Sequence, residues 1–219
     1  MAAAKSSCQI VMPSKVVQLC RAMAILLMLL ALPLQAKIAS EELIAYMSQL
    51  EGMQSDFVQN IYANGVIVES SKGSMALAKP KLRWQVDAPF AQVIIVSPER
   101  TEIYDEDLAQ LTIRKTAAGQ TATPASLLIH PERILSMGYQ VTQIVSAGIK
   151  VFRLVPKGSS ELFKSLEIAF AQGRLDALRI LDWQGQQTQI RFANVLVDQN
   201  LSPALFELTV PKGTDVIRD

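Results

Sequence analysis

Ser55-Asp56-Phe57-Val58-Gln59-Asn60-Ile61-Tyr62-Ala63-Asn64-Gly65-Val66-Ile67-Val68-Glu69-Ser70 decides the fold. Ser55–Tyr62 and Val66–Ser70 alternate in the manner of strands, and Asn64-Gly65 stands between them. A two-residue type I′ turn needs positive φ at both central residues, which Asn and Gly tolerate, so the stretch predicts an antiparallel hairpin. The same pattern continues outward. Strands are expected at Ser74–Ala78, Lys81–Asp87, Gln92–Ser97, Thr101–Tyr104 and Leu108–Lys115. After a break they resume at Tyr139–Ser146, Lys150–Val155, Lys164–Ala171, Arg174–Asp182, Gln187–Val197 and Phe206–Val210. Gly148, Gly158, Gly173 and Gly185 punctuate the second set, as consecutive antiparallel strands require.

Leu82, Trp84 and Val86 oppose Arg83, Gln85 and Asp87, and Leu166, Ile168 and Phe170 oppose Glu167 and Ala169. Such alternation describes a sheet with one covered and one wet face. Val93-Ile94-Ile95-Val96 is apolar on both faces, and its register is not legible. Before the sheet, Ser40 is expected to cap a short helix with Glu41 and Glu42 in its first turn. Its apolar face is Leu43, Ile44, Met47 and Leu50, and Gly52 ends it. The break at 117–138 reads as a helical insertion. Thr123-Pro124 supplies an N-cap and a first-turn proline, Leu127, Leu128 and Ile129 are apolar, and Pro131 stops the run before a second short helix.

The first 36 of the 219 residues read as a secretory signal: Lys5, Lys15 and Arg21, then the apolar run Ala22–Leu32, then Pro33 and a small residue at Ala36. Eleven apolar residues are too few to cross a hydrocarbon core of about 30 Å. Cys8 and Cys20 precede the run, so neither sits where a lipid-bearing first residue would. Cleavage after Ala36 leaves a single cysteine-free domain, 37–219, whose formal charge passes from +1 to −2 as three basic residues depart. That balance carries no footprint for nucleic acid.

His130 is the only histidine, so neither a Cys/His zinc site nor a Cys–His dyad can form in the mature chain. No G-x-S-x-G, G-x-G-x-x-G or phosphate-binding loop is present. Asp105, Glu106 and Asp107 lack calcium-loop spacing and read as a solvated turn. No metal, no cofactor and no enzymatic role are expected; the chain reads as a binder.

Ser55-Asp56-Phe57-Val58-Gln59, Lys79-Pro80-Lys81-Leu82-Arg83-Trp84, Thr123-Pro124, Asp182-x-x-Gly185-Gln186-x-Thr188-x-Ile190-x-Phe192 and Phe206-x-Leu208-x-Val210-Pro211-x-Gly213-x-Asp215-Val216 together resemble, in order, the outer-membrane lipoprotein carrier family (LolA). The resemblance implies a mainly β fold, an incomplete antiparallel barrel of about eleven strands, with an N-terminal helix and a short helical lid. It implies a monomeric periplasmic chaperone that takes triacylated lipoproteins from an inner-membrane lipoprotein-releasing ABC transporter to an outer-membrane lipoprotein receptor. The alternative is a periplasmic carrier or sensor of another lipid on the same half-barrel.

The expected acyl-binding face is Leu82, Trp84 and Val86 with Met75, Leu77, Phe170, Ile190 and Phe192, and with Leu127 and Leu128 above it. The family places an arginine before the proline of its Lys79-Pro80 motif, where it holds the lid. Lys79 is therefore the expected lid latch, with a compact ammonium in place of a five-donor fork. Leu82 stands where relatives often carry Phe. Removing an acyl chain of about fifteen methylenes from water is worth roughly 12 kcal/mol, so such a carrier must hand cargo from cavity to cavity rather than release it into water.

Overall fold

The computed structural model describes residues 38–115, 124–136, 138–158 and 163–218. The expected signal peptide, Thr123 and Met137 lie outside them. Helix α1 (38–48) comes first, followed by strands β1 (Met53–Ala63), β2 (Val66–Ala78), β3 (Lys81–Ala88), β4 (Gln92–Val96), β5 (Arg100–Asp105) and β6 (Gln110–Lys115). Two six-residue helices, α2 (Pro124–Ile129) and α3 (Pro131–Ser136), precede β7 (Tyr139–Ser146), β8 (Ile149–Pro156), β9 (Ser165–Ala171), β10 (Arg174–Leu181) and β11 (Gln187–Leu196). A 3₁₀ turn at Pro203–Phe206 and strand β12 (Asp215–Arg218) end the chain.

All twelve strands form one sheet in the order β12-β6-β5-β4-β3-β2-β1-β11-β10-β9-β8-β7, open at both ends and not closed into a barrel. The Asn64-Gly65 turn is as the sequence predicts: Ala63 faces Val66, and Asn64 and Gly65 have φ of 51° and 78°. Val66–Ser70 and Ser74–Ala78 belong to one long strand, β2.

Three expectations fail. Ser40 lies inside α1, which is already helical at residue 38, so it is not the cap. Phe206–Val210 is not a strand; Phe206 closes the 3₁₀ turn and 207–210 pair with nothing in the sheet. The last strand is instead β12, and it runs parallel to β6, the one departure from antiparallel pairing.

One face of the sheet carries the main core. Cross-strand register aligns Leu77 with Leu82 and Met75 with Trp84 across β2 and β3, and Phe57 with Phe192 across β1 and β11. Leu43, Met47 and Leu50, in α1 and just after it, and Leu127, Leu128 and Ile129 of α2 bury against this face. Burying each such aliphatic side chain contributes about 1.5–3 kcal/mol before entropy is counted. The N-terminal helix is also tied from its flank: Tyr46 lies 4.8 Å, centroid to centroid, from Phe170 and 5.8 Å from Phe152. Lys150 of β8 forms an ion pair with Glu42 and lies over the Tyr46 ring.

Among the described residues, the other face is buried behind β2–β6. There Ala76, Val93, Ile95, Tyr104 and Leu111 are buried, as is Phe206 of the 3₁₀ turn. Arg83, the cross-strand partner of Ile95, donates from Nη1 to the Leu205 carbonyl at 3.2 Å, which fastens the C-terminal segment to β3. This second layer explains Val93–Val96: Val93 and Ile95 face it, while Ile94 and Val96 face the main core.

Candidate functional site

Between the sheet and α2 lies an apolar cavity of about 230 Å³. Its floor is built by strand parity. Leu82 and Trp84 of β3 stand level with Val96 and Ile94 of β4, and Ile190 of β11 stands level with Gln59 of β1 and Leu178 of β10. Ile180 extends the β10 side, and Ala125 and Leu128 of α2 form the roof. Trp84 is stacked on Phe57 at 4.0 Å and meets Phe192 edge-on at 6.3 Å, so its indole is held in one orientation.

Of the residues expected to line an acyl site, Leu82, Trp84, Leu128 and Ile190 border the cavity. Met75, Leu77, Leu127, Phe170 and Phe192 are instead packed into the core beside it, and Val86 is half-buried against that core. Sequence reasoning missed Gln59, Ile94, Val96, Ala125, Leu178 and Ile180. Ile94 and Val96 were hidden by the double-sided apolar run. A register shift between Leu175 and Ala177 turns Leu175 and Leu178 both inward although three positions separate them, which defeats simple alternation in β10. Gln59 was passed over because a polar residue in an alternating strand reads as solvent-facing.

Lys79, in the turn between β2 and β3, donates from Nζ to the Met47 carbonyl in the last turn of α1 at 2.7 Å. That carbonyl also accepts the Leu50 backbone N–H at 3.2 Å, so Lys79 adds a second donor at a helix C-terminus, where a cation is also favoured by the helix dipole. Burial pulls its ammonium below the usual lysine range, and the charges of Glu51 and of Glu132 in α3 pull it back up. The hydrogen bond thus joins the turn to α1, while the charge of Glu132 in α3 acts on Lys79 through space. His130 stands between α2 and α3, its backbone N–H bonded to the Ser126 carbonyl at 2.8 Å. Asp105 accepts from the backbone N–H of Leu108 at 3.0 Å, the geometry of a turn. Among the described residues, no cluster of metal-ligating side chains forms, and no helix is long and apolar enough to cross a membrane.

The family model described as outer membrane lipoprotein carrier protein LolA matches residues 48–209, which run from the end of α1 past the 3₁₀ turn. The chain belongs to the outer-membrane lipoprotein carrier family. It is 34% identical over 195 residues to the outer-membrane lipoprotein carrier protein of Chromohalobacter salexigens, covering 87% of this chain and 93% of that one. It is 30% identical over 199 residues to the carrier protein of Legionella pneumophila strain Lens, covering 90% and 98%. Among solved structures, a conserved protein of Thermus thermophilus shares the fold with a TM-score of 0.55, at 14% identity over 82% of this chain and 98% of that one. In this member of the lipoprotein carrier family, the cavity under α2 has an apolar lining apart from Gln59.

Proposed function

We propose that the chain is a periplasmic carrier of acylated lipoproteins, exported by a signal cut after Ala36 and acting as a monomeric domain, 37–219. It accepts triacylated cargo from an inner-membrane ABC transporter and passes it to an outer-membrane receptor. It has no catalytic step. The observation that carries this reading is the apolar cavity roofed by α2. At about 230 Å³ it is smaller than ordinary ligand pockets of roughly 300–1,000 Å³. An acyl chain enters only if α2 and α3 rise, which gives a closed form that hides apolar surface and an open form that offers it to lipid. The family relatives, named as lipoprotein carriers, support the same role.

The test is mass spectrometry of the protein purified intact from the periplasm of a Gram-negative host. Acylated lipoproteins bound one to one are the expected finding. Free lipid alone would mark a carrier or sensor of another lipid, and an empty protein that also fails to extract lipoproteins from membranes would refute carriage.

A further inference from the structure

Gln59 is out of place in its surroundings. Among the described residues lining the cavity it alone carries an amide; its neighbours are aliphatic apart from the Trp84 indole. Directly across β1 and β2 it faces Ser71, whose Oγ is buried with no hydrogen-bond partner among the described residues. A polar group enclosed by apolar walls is unfavourable unless something bonds to it. Gln59 is half-buried, so water can reach it while the cavity is empty; a plain alkyl chain filling the cavity would strip that water away and leave the Gln59 amide unpaired beside the already unpaired Ser71 hydroxyl.

Resting on the carrier reading above, we propose that Gln59, backed by Ser71, is the polar anchor of the cavity and recognises the carbonyl of an ester- or amide-linked acyl chain. The chemistry matches group by group. The Ser71 hydroxyl, unpartnered in this structure, faces Gln59 across the strands; facing side chains lie about 4.5–5.5 Å apart at Cβ, so a rotation of the amide toward it would let the hydroxyl donate to the amide oxygen. That leaves the amide NH₂ to donate to an acyl carbonyl, while the hydrocarbon beyond it lies against Leu82, Ile94 and Ile190. A free fatty acid is the poorer match, because its carboxylate would enter an apolar cavity whose described lining carries no cation. The anchor also sets depth: a chain held at its carbonyl stops at a fixed place, with its head group toward the opening.

Two synthetic lipopeptides that differ only in linkage provide the test, one with ester-linked palmitoyl chains and one with ether-linked hexadecyl chains. Their affinities for the intact mature protein are measured by titration calorimetry. The wild type is expected to bind the ester form about five- to tenfold more tightly. Gln59→Leu should bring the ratio to about one by weakening ester binding, and Gln59→Met, closer in shape, replaces it if the leucine variant does not fold. Equal binding of both lipopeptides by the wild type would overturn the anchor and leave the carrier reading standing. Binding of neither would overturn both. A Gln59→Leu protein that keeps the wild-type preference would assign the discrimination elsewhere and refute the role of Gln59.

Discussion

The Trp84 indole and the Phe57 ring lie 4.0 Å apart, centroid to centroid, and 26° from parallel, although 27 positions separate them in the chain. The contact bridges β1 and β3 across β2 on a diagonal, and the β2 residue facing Phe57 is Gly73. A Cβ there would come within 1.8 Å of the Gln85 carbonyl oxygen and 3.0 Å of the Phe57 ring. The missing side chain leaves room for the Phe57 ring over the strand, and the stack fixes one end of the cavity floor.

Gly73→Ala should therefore destabilise the protein, in contrast to the gain of about 0.4–1 kcal/mol that Gly-to-Ala changes bring at unhindered positions. The backbone oxygen cannot move aside as a flexible side-chain end would. We expect a loss of at least about 2 kcal/mol in urea unfolding, together with altered near-ultraviolet ellipticity from the disturbed Trp84–Phe57 pair. Unchanged stability would mean that the strands separate there freely.

Trp84 borders the cavity, whereas Trp183 is 52% exposed. In a Trp183→Phe background, loading with an acylated lipopeptide should shift Trp84 emission and reduce its access to acrylamide. An emission spectrum and quenching constant that do not respond to loading would place the acyl chain elsewhere.

Lys79→Leu removes the donor to the Met47 carbonyl. The loss should be about 1 kcal/mol, toward the low end for a charged donor because the group is only half-buried. Faster amide exchange is expected first around the end of α1, residues 47–51, since the bond is made there. A further increase across 124–136 would show that the attraction to Glu132 also holds the roof down, and the unloaded protein would then favour its open form. Protection unchanged in both segments would dispose of Lys79 as a latch of any kind.

The Lys150 ammonium, hydrogen-bonded to Glu42, holds that carboxyl below the usual carboxylate range, and the same bond raises Lys150. A depressed carboxyl pKa contributes stability that is present above its unfolded value of about 4.3 and disappears as pH falls through the folded value. The raised lysine contributes below about 10.4 and loses its contribution as pH rises through the folded value. Both groups are partly exposed and screened by solvent, so the pair is worth about 0.5 kcal/mol or less. Glu42→Gln should lower stability slightly at pH 7 and leave it nearly unchanged at pH 3, as read by urea melts across that range. An equal deficit at both pH values would exclude the ion pair as its source.

Much of the sheet was legible because its determinants are local. Asn64-Gly65 names its own turn, and Leu82, Trp84 and Val86 name their own face. What escaped is decided by distant neighbours. Val93–Val96 is apolar on both sides because a C-terminal segment more than a hundred residues away covers the second one, and nothing within the strand announces that cover. Phe206 looked like the start of a strand for the same reason; it is apolar because it belongs to that cover. β12 is four residues long and pairs in parallel with a strand it follows by about a hundred positions, a contact that no periodicity records. The cavity was half legible. Leu82 and Trp84 of the cleanly alternating β3 border it, whereas Phe170 of the equally regular β9 packs into the core beside it; the residues after the β10 bulge were missed, and Gln59 broke the rule that polar side chains of a strand point to water.

Backing β3 and β4 on their far side makes the two walls of the cavity mechanically unequal. The strands carrying Leu82, Trp84, Ile94 and Val96 are clamped between two buried layers, with Arg83 riveting the C-terminal segment behind them. The roof consists of two six-residue helices with no such reinforcement among the described residues. If the proposed carriage is right, bulkier cargo is expected to be accommodated by the height of the ceiling while the floor keeps its shape. On that reading one chain would serve ligands of different thickness without retuning the lining, and variants that loosen the C-terminal fastening are expected to spoil the fit from behind, far from the lining itself.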